Sequence, residues 1–387
     1  MIIEIRGTQF VNKGAQLMLL AVLHELRARH PAAEIALAPN PNSPYTARAR
    51  LGALQSLPLR WRGCDFSAAA YWLPNTLGER LRRYGIVTEA ATDAVLDASG
   101  FAYGDPWPER SQVQVAAEIE RYAHRGRPYI FLPQAFGPFE RTGGARRRFG
   151  AALPRAALIF ARDPASRSHL ARLDARLATA VRLAPDFTMQ LPGDAAASRR
   201  WDVEAGTVLL IPNSHMLRVC PEQGPWPATY TSFMAELARR CLAEGIPTRL
   251  LNHEGADDAA LCRLIAGTAG GLDIIEEADP LAVKGIIGVA AAVVCSRYHG
   301  CVSALAQAVP CLGTSWSHKY AGLYEEFAVP EWLVREPEPA AAARLLFDLL
   351  RNPGGPRTAL ARASVTLAAQ SSAMWSAVET ALGGGTS

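Results

Sequence analysis

Short apolar runs that alternate with helix-like segments are the feature that most limits how this chain can fold. Such runs occur in "IIEI", "AVLDASG", "PYIFLPQAFG", "AALIFARD", "TVLLIPNS", "PTRLLNHE", "AAVVCS" and "PCLGTSW". Each has the length of a strand and leads into polar residues or glycine. The segments between them include apolar or amphipathic stretches at 16–29, 113–124, 230–244 and 257–269. Strands that alternate with helices predict an α/β protein with parallel sheets covered on both faces.

The length of the chain predicts two domains. A chain of 387 residues exceeds what one hydrophobic core usually supports. The periodicity fails at "APDFTMQLPGDAAASRRWDVEAG", where Pro, Gly, Asp and Ser accumulate as in an interdomain linker. We therefore predict two Rossmann-like domains facing a cleft, at 1–185 and 207–355, with a linker at 186–206 and a helical tail at 356–387. Open α/β sheets bind ligands at the carboxyl ends of their strands, so polar residues there are the candidates for function.

Composition and charge exclude several classes of protein. A net charge of +4, from 40 basic and 36 acidic residues, is too small in a chain of this length to indicate a nucleic-acid partner. Seven cysteines without a C-x-x-C pair predict reduced thiols rather than disulfides or a zinc site. The N-terminus lacks a basic segment followed by a long apolar one, so a cytoplasmic protein is predicted. The triplet Arg146-Arg147-Arg148 predicts a solvated helix face, with an anionic membrane surface or a lipid diphosphate as the alternative partner.

The stretch "CSRYHG", residues 295–300, follows one of the apolar runs and carries the strongest functional signal. Apolar residues recur with helical spacing after Gly300, which places Arg297, Tyr298 and His299 in a strand-to-helix turn. Free backbone N–H groups, the positive end of a helix dipole and a guanidinium together favour a phosphate or carboxylate ligand. A histidine beside them can transfer a proton near neutral pH. Alternatively, Arg297 pairs with a structural carboxylate and His299 caps the helix.

Lysines occupy two further predicted strand-to-helix turns. The chain has only three lysines, and two of them are Lys13 in "VNKGAQ" and Lys319 in "SWSHKYAGL", where His318 precedes it. Asn12 and Gly14 complete a stretch that resembles a shortened phosphate-cradling loop, although it matches neither a P-loop nor a dinucleotide fingerprint. Phosphate binding is predicted for both lysines, with chance placement as the alternative.

Polar residues also follow predicted strands in the first half of the chain. They are Asp97 in "DASG", Gln134 in "LPQAFG" and Arg162 in "FARD", with Asp186 in "APDF" further on. Arg162 either contacts a ligand or forms an ion pair with Asp163 or Asp186. Asp97 and Asp186 are candidate bases, although Asp186 alternatively holds the linker.

Acidic and histidine residues in the second half invite comparison with metal sites. They are His215, His253, Glu254, Asp257 and Asp258, and their spacing matches no common ligand pattern. The last two fit the start of a helix instead. No metal site is predicted.

Several stretches together resemble the polysaccharide pyruvyl transferase family along the whole chain. They are "RGTQFVNKGAQLMLLAVL", "PQAFGPF", "ARDPASRSHL", "APDF" and, above all, "CSRYHGCVSALAQAVPCLGTSWSHKYAGL". The last combines an R-x-H-G turn, a helix that ends in Val-Pro, a strand and a lysine at the spacing that the family uses. The sequence departs from the family at "VNKGAQ", where many members have G-N-x-G-D, and at Tyr298, where many have leucine.

The resemblance implies a fold of the two-domain GT-B type and a reaction. The pyruvyl group of phosphoenolpyruvate would pass to two hydroxyls of a sugar as a cyclic ketal, with release of phosphate. The R-x-H turn maps Arg297 and His299 onto the family's phosphoenolpyruvate-binding and catalytic residues. A further arginine from the middle of the chain is implied, for which Arg162 is the candidate and Arg218 the alternative.

The chemistry of phosphoenolpyruvate fits the residue types singled out above. Its two anionic groups need several cations, and protonation of its methylene carbon needs an acid, for which His299 is suited. We assign catalysis to Arg297, His299 and Asp186. The donor would contact Arg297, Tyr298, His299, Gly300, Lys319 and Arg162, and the acceptor or the loop Asn12, Lys13, Gly14, Asp97 and Gln134. The domain at 1–185 is thus expected on the acceptor side, and the domain at 207–355 is expected to bind the donor.

The expected partners follow from the same reading. They are phosphoenolpyruvate as co-substrate and a sugar or lipid-linked oligosaccharide as acceptor, with no cofactor, no metal and no nucleic acid. Peripheral contact with the inner face of a membrane is a further expectation. Two rivals remain: a GT-B glycosyltransferase that uses a nucleotide sugar, and a non-catalytic sugar-binding or scaffolding protein.

Overall fold

A computed structural model describes residues 1–61, 64–218, 224–317 and 319–383. The chain forms two compact units. Unit 1 comprises Met1–Val11, Met18–Asp186 and the residues from Ser371 onwards, and unit 2 comprises Asn12–Leu17 and Phe187–Gln370. Each unit is built on its own parallel sheet, so the predicted α/β class with two Rossmann-like domains is confirmed.

Unit 1 is a parallel sheet with helices between its strands. Its elements are β1 (Ile2–Arg6), α1 (Lys13–Arg29, whose first turn belongs to unit 2), β2 (Glu34–Leu37), α2 (Tyr45–Arg50), β3 (Leu54–Ser56), β4 (Arg60–Trp61), β5 (Cys64–Asp65), α3 (Asn75–Arg83), β6 (Ile86–Val87), β7 (Ala94–Asp97), β8 (Phe101–Tyr103), α4 (Glu109–His124), β9 (Tyr129–Phe136), α5 (Gly144–Ala152), β10 (Leu158–Ala161), α6 (Pro164–Ala171), α7 (Leu177–Ala180) and β11 (Val181–Leu183). The strand order is β11-β10-β9-β7-β1-β2-β3-β6, with β8 beside β9, and β4 and β5 form a separate antiparallel pair.

Unit 2 repeats the pattern with a smaller sheet. Its elements are α8 (Ala197–Arg200), β12 (Val208–Ile211), α9 (Trp226–Ala243), β13 (Thr248–Leu251), α10 (Gly255–Thr268), β14 (Ile274–Ile275), α11 (Pro280–Val289), β15 (Ala292–Cys295), α12 (Tyr298–Ala306), β16 (Cys311–Thr314), α13 (Lys319–Glu326), β17 (Leu333–Val334), α14 (Pro339–Arg351) and α15 (Gly354–Gly383). The strand order is β14-β13-β12-β15-β16-β17. Strands β12, β15 and β16 are buried along their whole length, as expected for a parallel sheet covered on both faces.

The order of strands defines a switch point in each sheet. In unit 1 the chain runs outward from β1 through β2, β3 and β6, and then returns to β7 on the other side of β1. In unit 2 it runs from β12 through β13 to β14, and then returns to β15. Ligands of open α/β sheets bind beside the carboxyl ends of strands at such a point. Ligand sites are therefore expected in the segments after β1, β7, β12 and β15.

Three segments fall outside the domain boundaries expected from the sequence. Residues 12–17, expected in the first domain, belong to unit 2. The expected linker at 186–206 is also part of unit 2 from residue 187 onwards, because its backbone binds to α11: Asp194 N–H donates to the Leu281 carbonyl at 2.8 Å, and the buried Lys284 Nζ donates to the Thr188 carbonyl at 2.7 Å. The expected helical tail is α15, whose residues belong to unit 2 up to Gln370 and to unit 1 from Ser371.

Candidate functional site

Polar and aromatic side chains follow four neighbouring strands of unit 2. They lie at Asn213–His215 after β12, at His253–Glu254 after β13, at Ser296–His299 after β15 and at Trp316–Lys319 after β16, apart from His318, which lies outside the described residues. Within them and the first turn of α1 we define the basic cluster as Lys13, Arg297, His299 and Lys319. The side chains of Lys13, Arg297 and Lys319 are each at least nine-tenths buried.

Arg297 is held by two acidic side chains. Its Nε donates to Asp258 Oδ2 at 2.7 Å and its Nη2 donates to Asp258 Oδ1 at 2.6 Å, while its Nη1 donates to Glu254. Burial disfavours the charged guanidinium, but Glu254 and Asp258 outweigh it and raise the pKa of Arg297. The ion pair considered as an alternative to ligand binding is therefore present. Among the described residues, three of the five N–H groups of Arg297 have partners, which leaves two for a ligand.

Asp258 fixes the orientation of that guanidinium. Its carboxylate is fully buried and also accepts the backbone N–H of Ser214 at 2.9 Å, which ties the segment after β12 to the start of α10. The sequence indicated the helix start but not the pairing, because Asp258 lies 39 residues from Arg297.

We expect Asp258→Ala to reduce the free energy of unfolding by about 3–5 kcal/mol, because it removes the carboxylate that binds the buried Arg297 guanidinium through two hydrogen bonds. Chemical denaturation measures this change. Asp257→Ala is the matched control, since Asp257 is exposed on the same helical turn and a change within about 0.5 kcal/mol is expected there. Equal losses in the two variants would contradict the role given to Asp258.

Asn12, Lys13 and Gly14 form the start of a helix rather than a phosphate-cradling loop. Asn12 caps α1, because its side-chain oxygen accepts the Ala15 N–H at 3.0 Å. Its amide donates to Glu254 at 2.8 Å, and Glu254 in turn binds Arg297. Lys13 is the first residue of α1. Burial lowers its pKa, whereas Glu254 opposes that shift.

Gly14 allows His299 to approach the helix. A Cβ atom at Gly14 would lie 2.2 Å from Nδ1 of His299, a distance that real Cβ atoms do not adopt. His299 is the second residue of α12, and its ring packs edge-on against Tyr298 at 5.4 Å between centroids. The position of the imidazole therefore depends on the absence of a side chain at Gly14.

Lys319 lies among aromatic rings at the start of α13. Its Nζ is 4.6 Å from the ring centroid of Trp316 and 5.2 Å from that of Tyr298, distances at which cation–π attraction operates. Tyr298 and Gly300 are both buried. The first turns of α12 and α13 add the positive ends of two helix dipoles to the basic cluster.

Two further histidines lie beside the basic cluster and were not assigned a role from the sequence. His253 is 2% exposed, and neither of its ring nitrogens has a hydrogen-bond partner among the described residues. Burial, Arg297 and Lys13 hold its pKa well below the usual range. His215 stacks on Trp316 at 5.0 Å, and burial followed by nearby cations lowers its pKa to about 4. The available signal was their position after strands β12 and β13.

We expect the protein to lose stability as the pH falls from about 6.5 towards about 4. Both histidines have a pKa that is lowered in the folded state, so the unfolded chain takes up more protons below about 6.5 and the free energy of unfolding decreases with falling pH. Urea denaturation at several pH values measures the slope. It should become shallower in His253→Leu and in His215→Phe but stay the same in His24→Leu, a change at an exposed helix position. A slope unaffected by all three changes would show that other groups cause it.

Asp97 and Gln134 organise the carboxyl edge of the sheet in unit 1. The buried Asp97 carboxylate accepts hydrogen bonds from the hydroxyls of Ser99 at 2.6 Å, Tyr103 at 2.6 Å and Tyr129 at 3.0 Å. The Gln134 amide adds a longer contact at 3.4 Å. These hydrogen bonds connect Asp97 to the side chains of Ser99, Tyr103 and Tyr129 at this edge of the sheet.

Arg162 and Asp186 form a buried ion pair in unit 1. Arg162 Nη1 lies 2.6 Å from Asp186 Oδ2, with both side chains at most 2% exposed. Arg162 Nη2 also donates to the Gly100 carbonyl at 3.0 Å. The sequence left open whether Arg162 contacts a ligand or forms an ion pair. The structure contains the ion pair with Asp186. Arg218, the other arginine considered, is exposed in unit 2.

Across the described ranges, no group of three or more His, Cys, Asp or Glu side chains lies close enough to hold a metal ion. Within the same ranges, no helix combines the length and the apolar character needed to span a membrane.

The fold resembles solved structures of the GT-B type. MnaA of S. aureus with UDP has a TM-score of 0.56 at 12% identity, covering 94% of this chain and 91% of its own. UDP-GlcNAc 2-epimerase of Neisseria meningitidis bound to UDP-GlcNAc has a TM-score of 0.56 at 9% identity, covering 95% and 98%. HepE of Anabaena with UDP and glucose has a TM-score of 0.56 at 11% identity, covering 99% of both chains. At these identities the likeness shows the fold alone: a two-domain GT-B-like α/β protein.

The sequence identifies the family within that fold. The family model of polysaccharide pyruvyl transferases matches residues 12–318, a range that begins at Asn12 and includes the strand-to-helix turn of Arg297 and His299. The chain belongs to the polysaccharide pyruvyl transferase family. No curated protein matches it in a direct comparison.

Proposed function

We propose that the protein transfers the pyruvyl group of phosphoenolpyruvate to two hydroxyls of a sugar during polysaccharide or glycoconjugate biosynthesis. The observation that carries this proposal is the basic cluster at the switch point of unit 2, in a chain of the polysaccharide pyruvyl transferase family. Three buried cationic side chains and the starts of α12 and α13 suit a ligand with a phosphate and a carboxylate.

In this proposal Arg297, Lys13 and Lys319 bind the two anionic groups. His299, in its protonated form, donates a proton to the methylene carbon, which makes the adjacent carbon electron-deficient. One sugar hydroxyl then adds to that carbon, and its proton restores His299. Addition of the second hydroxyl expels phosphate, which carries away the second hydroxyl proton and leaves the cyclic ketal. The cations that bound the phosphate stabilise it as it departs.

A sugar or a lipid-linked oligosaccharide is the proposed acceptor, at the cytoplasmic face of a membrane. Exposed Arg147 and Arg148 on α5 would suit an anionic surface there. Hydrogen bonds engage the oxygens of Asp97, and the ion pair with Arg162 engages Asp186, so the proposal gives neither of the two carboxylates considered as the base a proton to accept.

The fold supports a second candidate, a glycosyltransferase that uses a nucleotide sugar. The observation in its favour is that solved GT-B neighbours were determined with UDP or a UDP-sugar. It predicts binding of uridine or guanosine diphosphate sugars and no response to phosphoenolpyruvate. The family match favours pyruvyl transfer.

Thermal unfolding with a panel of ligands tests the proposal. The ligands are phosphoenolpyruvate, UDP-glucose and GDP-mannose, each added to the full chain and to Arg297→Ala. A ligand at about 100 times its dissociation constant stabilises the folded state by about 2.7 kcal/mol. We expect phosphoenolpyruvate to raise the melting temperature of the parent protein and not of Arg297→Ala. A rise with nucleotide sugars alone would replace the proposal with the glycosyltransferase.

A further inference from the structure

Helix α3 (Asn75–Arg83) lies on the surface of unit 1 and buries none of its residues. Eight of its nine residues are exposed, and Leu81 is half-buried. A surface helix of a globular protein normally turns an apolar stripe towards the core and buries it. Here residues of α3 and of the edge strand β6 line a cavity of about 350 Å³, among them Gly78, Leu81 and Ile86. Helix α3 therefore gains little stability from packing within unit 1.

The cavity shows which side of α3 faces the protein. The helix residues that line it are Asn75, Gly78, Glu79, Leu81 and Arg82. The others recur at spacings of three and four residues, which places them on the opposite face: Thr76, Leu77, Arg80 and Arg83. Two exposed aromatic residues beside the helix, Trp72 and Tyr84, do not line the cavity either. We define the α3 patch as Trp72, Leu77, Arg80, Arg83 and Tyr84.

The α3 patch exposes large apolar side chains. Trp72 is 88% exposed, Tyr84 is 81% exposed and Leu77 is 41% exposed. Trp72 precedes the helix and Tyr84 follows it, so the two rings flank a helix that is about 14 Å long. Tryptophan and tyrosine favour the boundary between a bilayer and water, because their rings are apolar and their N–H or O–H group forms hydrogen bonds.

The charges of the α3 patch have a single sign. Neither Arg80 nor Arg83 forms an ion pair within the described ranges, whereas Arg82, which lines the cavity, pairs with Glu34 of β2. Glu79 is the one acidic residue of the helix, and it also lines the cavity. Two exposed cations without counterions favour an anionic surface as the partner.

Helix α5 presents positive charge without comparable apolar surface. Its exposed arginines are Arg147 and Arg148, and Arg148 pairs with Glu120 at 3.2 Å. Among the residues that the structure describes, none of the exposed large apolar side chains lies on α5. A surface of this kind can bind a membrane through charge alone. The α3 patch combines charge with apolar side chains, which is the combination found in helices that lie in a membrane interface.

We propose that the α3 patch is a docking surface for an anionic phospholipid bilayer. Arg80 and Arg83 bind lipid phosphates, while Trp72, Leu77 and Tyr84 enter the boundary between the head groups and the acyl chains. The proposal depends on this surface and does not require pyruvyl transfer. It assigns the membrane contact of the proposed function to α3 rather than to α5.

Co-sedimentation of the full chain with vesicles tests the proposal. The vesicles are phosphatidylcholine alone or phosphatidylcholine mixed with an equal amount of phosphatidylglycerol. We expect binding to the mixed vesicles to be at least about fivefold tighter and to weaken as the salt concentration rises. Arg80→Gln combined with Arg83→Gln should weaken it by about 20-fold, and Trp72→Ala by about tenfold. Arg147→Gln combined with Arg148→Gln removes the same charge from α5 and should bind within about twofold of the parent.

Binding to the mixed vesicles that is absent, no tighter than to phosphatidylcholine alone, or unchanged in both α3 variants would overturn the proposal. A loss in the α5 control equal to that in the α3 double variant would do the same. Sedimentation without vesicles tests a second copy of the chain as the occupant. A dimer of the parent that Trp72→Ala converts to a monomer would replace the bilayer with that copy.

Melting temperatures show whether each variant is folded, and all the changed side chains are exposed, so the variants should melt as the parent does. The arginine double variant provides the test if Trp72→Ala does not fold. The phosphoenolpyruvate-induced rise in melting temperature, measured on the same proteins, separates the two proposals. Absence of that rise in the parent with vesicle binding intact removes the proposed function and leaves the α3 assignment. The reverse result removes only the α3 assignment.

Discussion

Arg297→Ala is expected to lower kcat/KM for phosphoenolpyruvate by about 100- to 1,000-fold or more. The change removes a cation and also leaves Asp258 and Glu254 without their partner. Two acidic side chains would then face an anionic donor, so repulsion adds to the lost attraction. Phosphate release at several donor concentrations measures the effect, and the ligand-induced shift in melting temperature should disappear in the same variant.

Arg297→Lys distinguishes geometry from charge at the same position. An ammonium group does not reproduce the two parallel hydrogen bonds to Asp258, so we expect little recovery of activity. Arg263→Ala is the control, because Arg263 is a mostly exposed arginine on α10 in the same unit. Full activity in Arg297→Lys would reduce the role of this residue to a positive charge, and full activity in Arg297→Ala would remove it from the site.

His299→Ala is expected to lower kcat by about 100- to 10,000-fold, the range over which a positioned acid contributes to a proton transfer. Binding of phosphoenolpyruvate should largely persist, because the cations remain. The ligand-induced shift in melting temperature should therefore be retained while turnover is lost. That separation distinguishes an acid from a residue that only binds the donor. Turnover close to that of the parent would assign the proton transfer to another group.

Gly14→Ala tests the same assignment without altering His299 itself. The added methyl group would lie 2.2 Å from Nδ1 of His299, so the imidazole must move. We expect a loss of kcat comparable to that of His299→Ala. Gly78→Ala is the matched control, since Gly78 lies in helix α3 with nothing within 4 Å of the added carbon. If Gly14→Ala keeps normal turnover, the position of the imidazole matters less than proposed.

Local features of the sequence predicted the fold class and the main candidates of the site. Unbroken apolar runs in the sequence predicted β9, β12 and β15. These strands are buried along their whole length, because both faces of a parallel sheet are covered. The spacing of apolar residues after Gly300 placed Arg297 and His299 at a strand-to-helix turn, which α12 confirms. Such patterns involve only a few neighbouring residues, so they can be recognised without knowledge of the rest of the chain.

The partners of those residues were not predictable in the same way. Arg297 meets Asp258 and Glu254 from 39 and 43 residues away, and Asn12 meets Glu254 across 242 residues. The sequence offered ligand contact and ion pairing as equal alternatives for Arg162, and the structure contains the pair with Asp186. The segment at 12–17 likewise joined unit 2 although it follows the first strand of unit 1.

The sequence by itself thus determined that this is a two-domain α/β protein of the polysaccharide pyruvyl transferase family, with a basic strand-to-helix turn in its second half. Only the tertiary structure decided how Arg297 is oriented and why position 14 must be a glycine. The physical reason is that periodicity and turn chemistry depend on neighbours along the chain. Ion pairs, close approaches and cavities depend on which distant segments the packed sheets bring into contact.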